Sequence, residues 1–151
     1  MLLNPPHFSG LVEGQLKAGM VQYAYRLYKK YSISTDVSPT TNLIPIVNHK
    51  TLRGYNQGHT TNSGVELFIE MNKKYDFLDR IQIFRVHYEE NGQLPIISII
   101  YDDAVSKLIF PDSTLNKQTD LEGRVYYITF IDNGRVELGQ ISLEEFNSML
   151  G

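Results

Sequence analysis

The stretch Gly19-Met20-Val21-Gln22-Tyr23-Ala24-Tyr25-Arg26-Leu27-Tyr28 decides how this chain folds. Val21, Tyr23, Tyr25 and Leu27 occupy alternate positions, with Gln22, Ala24 and Arg26 between them. Successive side chains leave a pleated backbone on opposite faces, so this alternation predicts a half-buried strand, running from about Gly19 to Tyr31. Ser32 to Asp36 reads as a turn. Val37 to Val47 reads as a second extended segment, but Pro39 and Pro45 interrupt it. Proline donates no ladder hydrogen bond, so this segment is expected at a sheet edge, bending or crossing between two sheets.

The same reasoning extends downstream. Val65, Leu67, Ile69 and Met71 alternate cleanly. Ile81 to Tyr88 is apolar on both parities, Phe84, Val86 and Tyr88 opposing Ile81 and Ile83, which predicts a central strand covered on both faces. Asn91-Gly92 is a hairpin dipeptide and pairs that strand with Ile96 to Tyr101. Lys107 to Phe110 is a short apolar segment ended by Pro111. Arg124 to Ile131 is a further strand, and Asp132-Asn133-Gly134 predicts a hairpin returning through Arg135 to Leu138. Ser142 with Glu145 three residues on has capping-box spacing, so a short helix follows, with Leu143, Phe146, Met149 and Leu150 on one stripe.

Many short strands separated by turn signals, with little helix, predict a mostly β fold, a sandwich or barrel. About seven strands between Gly14 and Phe110 suggest an immunoglobulin-like or fibronectin type III-like sandwich, carrying a C-terminal hairpin and short helix. The expected division is an extended arm or linker over 1–15, where Asn4-Pro5-Pro6 favours an extended path, a sandwich over 16–103, and a following region over 104–151. Both ends read as joints to further protein.

Composition limits function more than it defines it. The chain has 151 residues, no cysteine, no tryptophan, ten tyrosines and a formal net charge of −3. A disulfide framework and thiolate metal sites are excluded, and the absence of cysteine fits a reducing compartment or a particle assembled in one. No basic block points to nucleic acid or an anionic membrane, no apolar run approaches a membrane span, and no signal peptide is expected.

No reaction chemistry emerges. His7, His49, His59 and His87 lack convergent ligand spacing. Asp76 with Asp79, and Asp102 with Asp103, sit at strand boundaries where aspartate forms turns. Leu78-Asp79-Arg80 resembles a cadherin calcium tripeptide without the rest of its ligand set. Gly54, Gly58 and Gly64 are too widely spaced to cradle a phosphate. No catalytic, cofactor or metal residues are therefore expected. The glycine-rich segment His49 to Gly64 is long enough to be functional, and its Tyr55, Asn56, Gln57, His59 and Asn62 open a carbohydrate-binding or host-adhesion alternative.

In order, Gln22-Tyr23-Ala24-Tyr25-Arg26-Leu27-Tyr28, Ser38-Pro39, Leu43-Ile44-Pro45, Asp79-Arg80-Ile81-Gln82-Ile83-Phe84-Arg85-Val86 and Pro95-Ile96-Ile97-Ser98-Ile99-Ile100 resemble a module of large virion structural proteins from crAss-like phages, of the stabilisation, tail or muzzle type. The resemblance covers roughly residues 14–103. It implies a fibronectin type III-like sandwich without the strand-B tryptophan, whose volume Tyr23 or Tyr25 would fill, and without the corner tyrosine, where Arg80-Ile81 stand. It also implies a non-enzymatic interaction module of a phage tail or neck, assembled in the bacterial cytoplasm. Its partners would be other virion proteins or further domains of the same polypeptide, in an oligomeric assembly. The contact residues expected are Phe8 in the arm, Tyr55 in the long loop, and Phe146, Met149 and Leu150 on the helix.

Overall fold

The computed structural model describes residues 2–117 and 123–151. It is a sandwich of two antiparallel sheets. The strands are β1 (His7–Glu13), β2 (Gly19–Tyr28), β3 (Ile44–Ile46), β4 (Ser63–Asn72), β5 (Arg80–Tyr88), β6 (Ile96–Ala104), β7 (Val125–Asp132) and β8 (Gly139–Ile141); two short helices are α1 (Thr114–Lys117) and α2 (Leu143–Met149). One sheet has the order β1-β4-β7, the other β3-β2-β5-β6-β8.

The alternation in β2 does what its pattern predicts. Val21, Tyr23, Tyr25 and Leu27 are buried between the sheets with Val65, Leu67, Ile69 and Met71 of β4 and Ile81 and Ile83 of β5. The second apolar parity of β5 is also used, as its composition required. Phe84 and Val86 face outward, into a separate cluster with Ala24, Val37, Ile97 and Phe146. The five-stranded sheet is thus packed on both faces. The cap of α2 forms as read from the sequence, Ser142 Oγ accepting from the Glu145 amide at 3.0 Å.

The arm and the C-terminal region differ from expectation. Residues 7–13 pair with β4 as β1, β7 pairs with the other edge of β4, and β8 pairs with β6. Boundaries at residues 15 and 103 would therefore cut through both sheets. Between Gly14 and Phe110 there are five strands, and the remaining three come from the flanking segments. Asp132-Asn133-Gly134 makes a turn but no hairpin. Asp132 Oδ1 accepts from the Gly134 amide at 3.1 Å, Gly134 adopts φ 78°, and the chain then crosses from β7 in one sheet to β8 in the other. A Cβ at residue 134 would meet the Leu16 amide nitrogen at 2.7 Å, so this crossing passes too close for any side chain.

Strand β2 ends at Tyr28, three residues early, because Tyr31 turns the chain at φ 61°. The segment after it stays beside β2 and does not cross sheets. Only Ile44–Ile46 is a strand, with Pro45 on the expected edge. Before it, three hydroxyl residues replace a regular ladder. Thr35, Ser38 and Thr41 donate their amides to the carbonyls of Leu27, Tyr25 and Tyr23, and their Oγ atoms accept from the amides of those same residues at 3.1 Å each. A segment with the wrong repeat for a strand thereby satisfies every second residue of a buried strand, as buried amides require.

Candidate interaction surfaces and the cleft between the sheets

The five residues expected to make contacts fall in three environments. Phe8 is 44% exposed and borders a groove of about 380 Å³ that also includes Pro5, Pro6 and residues 40–45. Tyr55 is 36% exposed at the tip of the long loop. That loop is anchored at both ends. Asn48 Oδ1 accepts from the amides of Lys50 and Thr51, and Thr61 Oγ1 donates to the Leu16 carbonyl at 2.7 Å. Asn62 Oδ1 accepts from the His49 amide, and Tyr55 Oη accepts from Asn48, so part of the loop's polar chemistry is used within the chain.

The helix stripe is a correction. Phe146 is 3% exposed and packs its ring edge-on against Phe84, centroids 5.6 Å apart. Leu143 and Met149 pack partly buried against the same cluster. The apolar face is consumed by the chain's own sheet, because the outward parity of β5 needs a cover. Of the three helix residues, Leu150 retains the most side-chain surface, while its segment bridges in parallel to Val37.

Asp102 and Asp103 are held in side-chain hydrogen bonds. Asp102 accepts from Tyr28 Oη and from Gln82 Nε2, and Arg80 Nε donates to Tyr28 Oη at 3.1 Å. Asp103 accepts from Lys107 Nζ at 2.6 Å, and that hydrogen bond holds its carboxyl below the usual carboxylate range. Asp76 and Asp79 border a cavity of about 680 Å³ together with Lys73, Asn116 and Tyr126. His7 stacks on Phe68 at 4.8 Å, and no cluster with metal-ligand geometry occurs among the described residues.

A buried charge cluster joins the two sheets, and no sequence motif marks it. Asp132, at the end of β7, receives Arg85 Nη1 at 2.9 and 3.0 Å and Tyr23 Oη at 2.6 Å. Tyr23 and Arg85 are cross-strand partners on β2 and β5, so one carboxylate clamps two strands of the opposite sheet. Burial, then the neighbouring Asp132 charge, push the Tyr23 hydroxyl well above its ordinary range, so it remains a proton donor. One signal was available in the sequence: Ile81, Ile83, Arg85 and His87 share the inward parity, and the last two break its apolar character.

Beside this cluster lies a cleft of about 390 Å³. Three strands face five, and the chain from β7 to β8 crosses the difference. Arg85, Ser98 and Gln140 lie in one cross-strand row and line the cleft, as do His87, Lys17 and Glu89. Arg85 and His87 are 7% and 5% exposed, yet Arg85 Nε and His87 Nε2 have no hydrogen-bond partner among the described residues.

No curated protein matches the chain. A family model described as Crassvirus muzzle protein matches residues 1–151, the full length of the sequence, and the chain belongs to that family of phage virion structural proteins.

Proposed function

We propose that this chain is a non-enzymatic assembly block in the tail or neck of the phage particle, working by burying surface against other virion proteins or against further domains of its own polypeptide. The observation that carries the reading is the family match across residues 1–151. Specific interfaces bury about 800 Å² per partner. Against the 8694 Å² of this chain's surface, that is a modest patch, and several can coexist. Phe8, Tyr55 and Leu150 are the anchors this reading favours, Tyr55 as a preferred hot-spot type and Phe8 and Leu150 as exposed apolar groups. Met149 contributes at the rim. Oligomeric assembly without nucleic acid or membrane insertion is consistent with a net charge of −3 and with no described helix long and apolar enough to cross a membrane. Assembly in the bacterial cytoplasm is consistent with a chain free of cysteine.

The fibronectin type III-like reading is supported by strand adjacency. β1 beside β4, and β2-β5-β6, repeat the B–E and C–F–G pairings of immunoglobulin-like sandwiches, with β3 beside β2.

Cross-linking mass spectrometry on purified virions tests the proposal. The expected result is this chain in the particle, cross-linked through its lysines to other virion proteins, with Phe8→Ala plus Tyr55→Ala reducing incorporation. Absence from particles, or unchanged incorporation of the double variant, would overturn the reading or its anchors respectively.

A further inference from the structure

We infer that the cleft beside Arg85 and His87 is a binding site for a primary carboxamide, the asparagine or glutamine side chain of another polypeptide. The argument starts from what each group has left to offer. The positive charge of Arg85 is already met by Asp132 through Nη1, and what stays unpaired is the Nε–H donor. His87 directs one ring nitrogen to the Ala18 carbonyl, leaving Nε2 without a partner. When one imidazole nitrogen donates to a carbonyl, the neutral ring presents the other as an acceptor. The two open valences are therefore one donor and one acceptor, with no uncompensated charge.

Geometry places them together. Arg85 and His87 alternate on β5, so both face the cleft, about 6.8 Å apart along the strand. A carboxamide carries an acceptor oxygen and a donor nitrogen on one carbon, the complement of one open donor and one open acceptor on neighbouring residues of one strand face. The rest of the lining agrees with a neutral polar ligand. Ser98 and Gln140 are uncharged, Lys17 is paired with Glu89 at 3.9 Å, and Glu137, which also lines the cleft, disfavours an anionic ligand. A carboxylate would satisfy Arg85 Nε but would set its second oxygen against the lone pair of His87. The inference rests on the assembly reading for the source of the side chain, but the chemistry of the cleft stands apart from it.

The test is an isosteric pair of probes, capped Gly-Gln-Gly and capped Gly-Glu-Gly, titrated into the full chain at pH 7.5. The readout is the ¹⁵N shift of the His87 ring nitrogens. The glutamine peptide is expected to move His87 Nε2 saturably and to leave His7, His49 and His59 unmoved. The glutamate peptide is expected to bind at least tenfold more weakly. His87→Phe, checked for folding by its melting curve and followed at the Arg85 Nε–H signal, should lose the response. Equal or tighter binding of the glutamate peptide makes the cleft an anion site, and no saturable shift with either peptide makes it a solvent pocket; both overturn the inference. So does undiminished binding by a folded His87→Phe. None of these outcomes alters the cross-linking pattern expected in virions, so the two proposals fail separately.

Discussion

The two faces of the five-stranded sheet are built on different principles. The inner face meets the three-stranded sheet across a broad apolar core, and a buried carboxylate bridging Tyr23 and Arg85 locks the relative position of the sheets. The outer face carries an apolar patch around Phe84, closed by α2 and Val37, beside a polar row in which Arg26, Tyr28, Gln82 and Asp102 hydrogen-bond. The inner face depends on strand pairing spread over most of the chain. The outer face depends on its last residues folding back, with the Val37 and Gly151 amides bonding to Met149 and Val37 carbonyls. Directional polar contacts fix geometry where two sheets must register, while apolar cover suffices where a helix only has to exclude water.

The largest expected effect tests the inner face. Asp132→Ala leaves Arg85 charged and buried without its partner, and such truncations cost about 3–5 kcal/mol. Chemical denaturation of the variant should show that loss. Tyr23→Phe should cost less, on the order of 1 kcal/mol, since Arg85 still satisfies the carboxylate. A loss below about 1 kcal/mol for Asp132→Ala would show that the apolar core alone registers the sheets.

Phe146→Ala probes the outer face. Removing a buried ring that fills its site costs about 3 kcal/mol. The comparison predicts that the damage stays local. Amide exchange should accelerate around Ala24, Val37 and Phe84, with the protection of Leu67 and Ile69 falling only as far as global stability falls. If β4 loses protection preferentially, the two faces are one cooperative layer and the contrast fails. Ser142→Ala is a gentler version, expected to cost about 1 kcal/mol through the cap of the same helix, measurable as a small drop in melting temperature.

What was legible in the sequence follows the same contrast. Strands with one buried face announce themselves by parity, so β2 and β4 were readable, β7 was readable from its strand-forming composition, and the double parity of β5 announced a covered outer face. What covers it was not readable, because an apolar stripe on a helix fits its own sheet as well as a partner's. Phe146 therefore looked like a contact residue. Asp132-Asn133-Gly134 specified a reversal of the chain, but a turn does not choose which sheet receives the next strand. Thr35, Ser38 and Thr41 recur every third residue, a spacing that no strand has, and their ladder was invisible for that reason. Arg85 and His87 were visible as polar residues at core parity. Reading them required asking what a charge at such a position must find.

The smallest effect concerns His87, whose contribution is present at neutral pH and is lost on acidification. Burial, and then the nearby Arg85 charge, hold its pKa below the ordinary value, so the folded chain keeps the ring neutral. The unfolded chain takes up that proton near pH 6.5. The charged groups around the ring are Arg85, Lys17, Glu89, Glu137 and, beside Arg85, Asp132; Glu89 and Asp132 partly offset the cations. A depressed folded pKa means that the unfolded state binds more protons in this interval, so stability rises with pH there. The full contribution is present above about pH 6.5 and is lost as pH falls through the folded value. Urea titrations from pH 7.5 down to 5 should show the wild type losing more stability than His87→Gln. Parallel slopes would mean the ring is hydrated in the folded chain, and that the inner face is less sealed at this corner than the contrast between the two faces requires.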